Sequence, residues 1–123
     1  MRSFLVLLFF LLGVSGVGMS ATILQTDKAQ QYMREAEYYT KKAESHERDA
    51  LYYTKKAEGY LRQSDYYSRK KESSKANMYS KWASDASEKA RIRMKWAQEA
   101  REKAKLRIKW AEDEMKKKSK LSQ

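Results

Sequence analysis

The chain has 123 residues, no cysteine and no proline, and beyond residue 18 a single glycine, Gly59. Without cysteine there are no disulfides, no thiolate metal sites and no thiol nucleophile, although short exported chains commonly rely on disulfides to supplement a small core. Without proline, and with so little glycine, nothing in the sequence interrupts a helix. There is one histidine, His46, so a multi-histidine metal centre is excluded. The one asparagine, Asn77, precedes Met78 and Tyr79, so no N-glycosylation acceptor exists. After residue 22 there is no valine, and leucine and isoleucine are reduced to Ile23, Leu24, Leu51, Leu61, Ile92, Leu106, Ile108 and Leu121. Such a set cannot build a conventional globular core. Nor does any apolar run after residue 22 approach the length needed to span a bilayer.

The long apolar run that does exist lies at the start. Arg2 supplies a positive flank, Leu5 to Leu12 an apolar stretch, and Gly16, Gly18, Ser20 and Ala21 the small residues after it. Residues 1–21 therefore read as a signal peptide cleaved between Gly16 and Ala21, a retained membrane anchor being the rival reading. The expected product is secreted and extracellular. The whole chain carries a formal charge of +11. Losing the leader removes Arg2 and no acid, leaving 26 basic against 16 acidic residues, or +10.

Beyond the leader the chain is repetitive. Glu37–Ala50 (EYYTKKAESHERDA) and Leu51–Ser64 (LYYTKKAEGYLRQS) are near copies, and Asp65 opens a third. RMKWAQEAREKAK from Arg93 and RIKWAEDEMKKKS from Arg107 repeat at the same fourteen-residue spacing, with tryptophan in place of tyrosine. Fourteen residues are two heptads, so one apolar stripe keeps to one side of a helix. In the first arm, residues 22–70, Ala29, Ala36, Ala43, Ala50 and Ala57 step by seven, and Tyr32, Tyr39, His46, Tyr53 and Tyr60 stand three places after each. In the second arm, residues 78–118, Ala83, Ala90, Ala97, Ala104 and Ala111 step likewise, with Ala86, Met94, Ala100, Ile108 and Met115 in the intervening turns. The two stripes are the expected association seam: alanine lets helix axes approach, and tyrosine rings can lie across the partner. Acid-to-base pairs at i, i+4, among them Glu37–Lys41, Asp65–Arg69 and Glu99–Lys103, favour helix independently.

The stripes are out of phase with each other. Lys71 falls where alanine is due, and residues 71–77 are polar, which marks a break or a turn. The fold class is therefore all-α, either one long amphipathic helix of roughly 140 Å or a two-helix antiparallel hairpin, with Ala-centred, coiled-coil-like heptad seams. Residues 119–123 form a polar tail.

No catalytic constellation is visible: no nucleophile has a neighbouring base, there is no glycine-rich loop, and no cofactor or metal is expected. The densest acidic cluster, Glu112-Asp113-Glu114, would be splayed by a helix and lacks the loop carbonyls of a calcium site. His46 could make association sensitive to pH in the mildly acid range. One tyrosine of each pair, Tyr38, Tyr52 and Tyr66, points away from the seam beside Lys41, Lys42, Lys55 and Lys56. With Trp82, Trp96 and Trp110 on the flank of the second stripe, these make a candidate exposed aromatic and basic surface, suited to adhesion or to oxidative coupling of phenols. The expected function is that of a non-enzymatic structural or interaction protein. It would self-associate and hold acidic extracellular partners such as matrix proteins, glycans or mineral through many weak contacts. The alternative is a cationic membrane-active or host-defence helix. Single-stranded nucleic acid also suits cations interleaved with aromatics, but an export leader argues against it.

Overall fold

The computed structural model describes residues 23–121, so the leader expected over residues 1–21 lies outside the described residues. Two helices account for nearly all of them: α1, Ile23–Arg69 (47 residues), and α2, Ser73–Leu121 (49 residues). They run antiparallel and pack against each other as a helical hairpin, and no strand occurs among the described residues.

The turn is tighter than the polar segment suggested, because residues 73–77 already belong to α2. Lys71 adopts the left-handed conformation, with φ of 61°. Around it, Glu72 N donates to Tyr67 O at 2.9 Å and Lys71 N to Ser68 O at 3.1 Å. This pair of bonds is a Schellman cap, in which the residue after the C-cap turns left-handed and satisfies the last carbonyls of the helix. The next helix starts at once: Ala76 N donates to Glu72 O at 3.0 Å. A lysine thus occupies the position that glycine usually fills. The absence of glycine and proline left hairpin and rod undecided in the sequence for this reason.

By internal contacts the chain divides into two units, one joining the stretch through Lys41 with the stretch from Arg101, the other spanning Lys42–Ala100. Each has the same cross-section. In the first, Ala29 and Ala36 of α1 and Ala104 and Ala111 of α2 are buried. In the second, Ala43, Ala50 and Ala57 are buried with Ala76, Ala83, Ala86, Ala90, Ala97 and Ala100, and Ala43, Ala97 and Ala100 form one contiguous cluster. Ser64, the next residue in the α1 series, donates through Oγ to Ala76 O at 2.8 Å and ties the two helices together beside the turn. Thr40 and Thr54 turn their hydroxyls back onto the carbonyls of Ala36 and Ala50, both at 2.8 Å, so neither needs a partner across the seam.

No described side chain larger than alanine is fully buried. Each buried methyl contributes little, about 0.8 kcal/mol per carbon, so the side chains beside the alanines supply much of the cohesion. Tyr32, Tyr39, Tyr53, Tyr60 and Ile108 are half-buried there. Met94 is not: it is 51% exposed, and Met115 is 40% exposed. The residue three places after Ala90 is Arg93, and three places after Ala104 is Arg107. At the first of these places the arginine faces α1 and Met94 does not; at the second, Arg107 and Ile108 are both half-buried.

Candidate interaction surface

Arg107 and Arg93 build the same arrangement in the two units. Arg107 Nε donates to Glu35 Oε2 at 2.9 Å, and its guanidinium lies 4.5 Å from the Trp110 ring and 5.4 Å from the Tyr39 ring. Arg93 Nη1 donates to Asp49 Oδ2 at 3.3 Å, with the Trp96 ring at 5.0 Å and the Tyr53 ring at 6.0 Å. Each guanidinium is thus paired with a carboxylate of the opposite helix while it also lies over two aromatic rings, a combination that suits arginine better than lysine. Lys103 lies over Tyr39 at 5.6 Å and Lys89 over Tyr53 at 5.6 Å.

The tryptophans complete the pattern. Tyr32 meets Trp110, His46 meets Trp96 and Tyr60 meets Trp82, edge to face, at 5.5, 5.5 and 5.6 Å. A step of fourteen up α1 is matched by a step of fourteen down α2, so the repeat in each half of the sequence serves to pair with the other half. Such edge-on ring pairs add about 0.5–1.5 kcal/mol each beyond the area they bury.

Two shallow hollows repeat this chemistry, one in each unit. In the second unit Tyr53, Lys56, Tyr60, Trp82, Asp85, Ala86 and Lys89 line a groove of about 240 Å³. In the first unit Lys28, Tyr32, Trp110, Asp113, Glu114 and Lys117 line one of about 310 Å³. Lys28 and Lys56, Tyr32 and Tyr60, Trp82 and Trp110, Asp85 and Asp113, and Lys89 and Lys117 are all twenty-eight apart. The grooves differ where Glu114 replaces Ala86, and Tyr53 lines the second groove with no counterpart in the lining of the first. Glu114 draws Lys117 to 3.4 Å and Lys28 to 3.9 Å, which spends the positive charge of the first groove. In the second groove Lys56 and Lys89 rest against tyrosine rings instead, Lys56 lying 5.5 Å from Tyr52. Hydrogen bonding to Tyr52 holds the Lys56 ammonium above the ordinary lysine range.

The sequence-predicted aromatic surface is exposed. Tyr38, Tyr52 and Tyr66 rank among the most accessible large side chains, each set edge-on to the next tyrosine at 5.3, 5.2 and 5.1 Å. Lys70 lies over Tyr66 at 4.6 Å, as Lys56 does over Tyr52. Lys42 stands at the matching position to Tyr38. Lys41 instead pairs with Glu37 at 3.2 Å, and Lys55 is exposed. Trp82, Trp96 and Trp110 are part-exposed, because each gives one edge or face to α1.

Charge is divided unevenly. α1 has nine basic and eight acidic residues, a net +1, whereas α2 has fifteen and seven, a net +8. Sequence reasoning missed this asymmetry, and also missed Arg93, Arg107, Glu35 and Asp49. Counting three residues on from Ala90 and Ala104 would have found the arginines.

Among the described residues no group of His, Cys, Asp and Glu is placed to hold a metal ion. Glu112 and Asp113 are exposed while Glu114 is buried, so the acidic triplet does not converge. No helix among the described residues is long and apolar enough to cross a membrane. Comparison with family models, curated proteins and solved structures finds no match to this chain.

Proposed function

We propose that the protein is an exported, non-enzymatic structural or interaction protein whose basic hairpin binds acidic extracellular polymers, in the first place sulfated or carboxylated glycans. The observation that carries this reading is the groove of Tyr53, Lys56, Tyr60, Trp82 and Lys89. Aromatic faces suit the apolar faces of sugar rings, and ammonium groups beside them suit sulfate or carboxylate. The groove opens beside α2, which holds most of the positive charge, and regularly spaced weak sites add along a polymer through effective concentration. Self-association belongs to the same reading, but the alanine seam is occupied within one chain. The surfaces left for it are the exposed Tyr38, Tyr52 and Tyr66 and the apolar Leu51, Leu61 and Met94.

The test is retention on immobilised dextran sulfate across a salt series. Binding should weaken steeply with salt, and the double variant Lys56→Glu/Lys89→Glu should lower affinity at least about tenfold and reduce the salt slope by about two, as for other polyanions. Lys28→Glu/Lys117→Glu should do less, since those cations already face Glu114. Equal loss from both double variants would reduce the groove to bulk charge. Leakage of anionic vesicles at concentrations where dextran sulfate is not bound would favour the membrane-active alternative.

A further inference from the structure

The repeat nearest the turn departs from the other two at one contact. Tyr39, Tyr53 and Tyr67 are fourteen apart on α1, and Arg107, Arg93 and Tyr79 fourteen apart, in the opposite direction, on α2. In two of these pairs a guanidinium lies over a tyrosine ring. In the third a phenol takes its place: the Tyr67 and Tyr79 rings are parallel to within 3°, with centroids 5.5 Å apart. The carboxylate is exchanged together with the arginine. Glu35 and Asp49, which hold Arg107 and Arg93, have Gln63 as their counterpart. The ion pair is therefore replaced as a set, and two phenols of opposite helices are left face to face beside the turn.

We propose that Tyr67 and Tyr79 form an oxidative coupling site that closes the hairpin covalently, in a chain that has no cysteine to do so. The co-reactant is hydrogen peroxide with a haem peroxidase, or another one-electron oxidant. Each phenol loses one electron and its hydroxyl proton. The two phenoxyl radicals join through ring carbons ortho to oxygen, and the hydrogen on each of those carbons then leaves as a proton while each oxygen regains one. The product is a dityrosine lacking two hydrogens, and the two electrons and two protons reduce one hydrogen peroxide to two waters. Oxidant need not reach the stacked rings directly. Exposed Tyr66 stands edge-on to Tyr67 at 5.1 Å, and part-exposed Trp82 edge-on to Tyr79 at 5.3 Å, so either can be oxidised first and pass the radical inward. The competing tyrosine, Tyr60, is 6.3 Å from Tyr79 and tilted by 36°, a poorer match. This assignment does not depend on glycan binding.

The experiment treats the dilute chain with hydrogen peroxide and a haem peroxidase. Expected are dityrosine fluorescence in the monomer band, a mass lower by two hydrogens, and a tryptic product joining the peptides of residues 63–69 and 76–81, with fragmentation placing the bond on Tyr67. The coupled form should melt at higher temperature than the untreated chain. Tyr67→Phe and Tyr79→Phe keep the ring stack and should abolish the product, while Tyr60→Phe and Tyr66→Phe should retain it. A bond mapped to Tyr60 or Tyr66, a monomeric product that survives Tyr79→Phe, or coupling between chains alone at every dilution would overturn the assignment.

Discussion

Arg107 of α2 donates to Glu35 of α1 at 2.9 Å, and both side chains are largely withdrawn from water, at 21% and 37% exposure. Such a pair is worth more than a solvated one, because the Trp110 and Tyr39 rings shield it and screening falls with burial. Arg107→Lys keeps the charge but loses the planar fork and the stacking. It should lower stability by about 1 kcal/mol, and Arg107→Met/Glu35→Gln should recover part of that loss. A double-mutant cycle in urea, followed by circular dichroism, should give a coupling of about 0.5–1.5 kcal/mol. Zero coupling would mean that the guanidinium serves only as packing.

Ala97 is 1% exposed and lies in a buried cluster with Ala43 of the opposite helix and Ala100. Leucine at this position adds three carbons where no space remains. Ala97→Leu should cost about 1–3 kcal/mol by overpacking, and the same change at exposed Ser84 should cost almost nothing. Thermal melts of the two variants separate the cases, and equal midpoints would contradict a close-packed seam.

The alanine ladder was legible because a methyl every seventh residue has little other use. The methionines of α2 depart from that ladder for a physical reason, Met94 and Met115 both being exposed. Of the apolar residues expected there, Ile108 is half-buried at the seam, whereas Met94 is 51% exposed because Arg93, one place earlier, reaches α1. Arginine suits that place because its head group reaches a carboxylate and two rings at once. The hairpin was undecidable from residue types, since its turn depends on Lys71 holding a conformation that lysine rarely adopts.

That conformation gives a direct prediction. At φ of 61° a lysine crowds its Cβ against the following carbonyl, whereas glycine does not. Lys71→Gly should stabilise the hairpin by about 0.5–1 kcal/mol, net of glycine's greater freedom in the unfolded chain, and raise the melting midpoint by a few degrees. Lys71→Val should lower it. If both variants melt as the parent does, the left-handed cap contributes nothing to closing the turn.

On the outer side of α2, Arg91 holds Glu88 through contacts at 2.5 and 3.1 Å, and this hydrogen bonding lowers the Glu88 pKa below the ordinary carboxylate value. The depressed folded value means that the pair stabilises helix above the unfolded-chain value of about 4.3 and is lost as pH falls through the folded value. Both side chains are exposed, so the effect is small. The parent should exceed Glu88→Gln in helicity at pH 6, and the difference should vanish by about pH 2. A difference that persists in acid would show that the glutamine change acts on helix propensity and not through the pair.

His46 occupies the slot that Tyr32 and Tyr60 fill in the neighbouring repeats, edge-on to Trp96 as they are to Trp110 and Trp82. Its Nδ1 is buried and has no hydrogen-bond partner. A buried polar atom left without a partner costs about 1–3 kcal/mol, and a phenol at this place would bury carbon and send its hydroxyl outward. His46→Tyr should therefore raise stability by about 1 kcal/mol and bring the middle repeat into line with its neighbours. His46→Phe should do nearly as well, since the gain comes from removing the orphaned nitrogen. A loss of stability in both variants would mean that Nδ1 is satisfied by water held against Trp96, and that the histidine is kept for that contact.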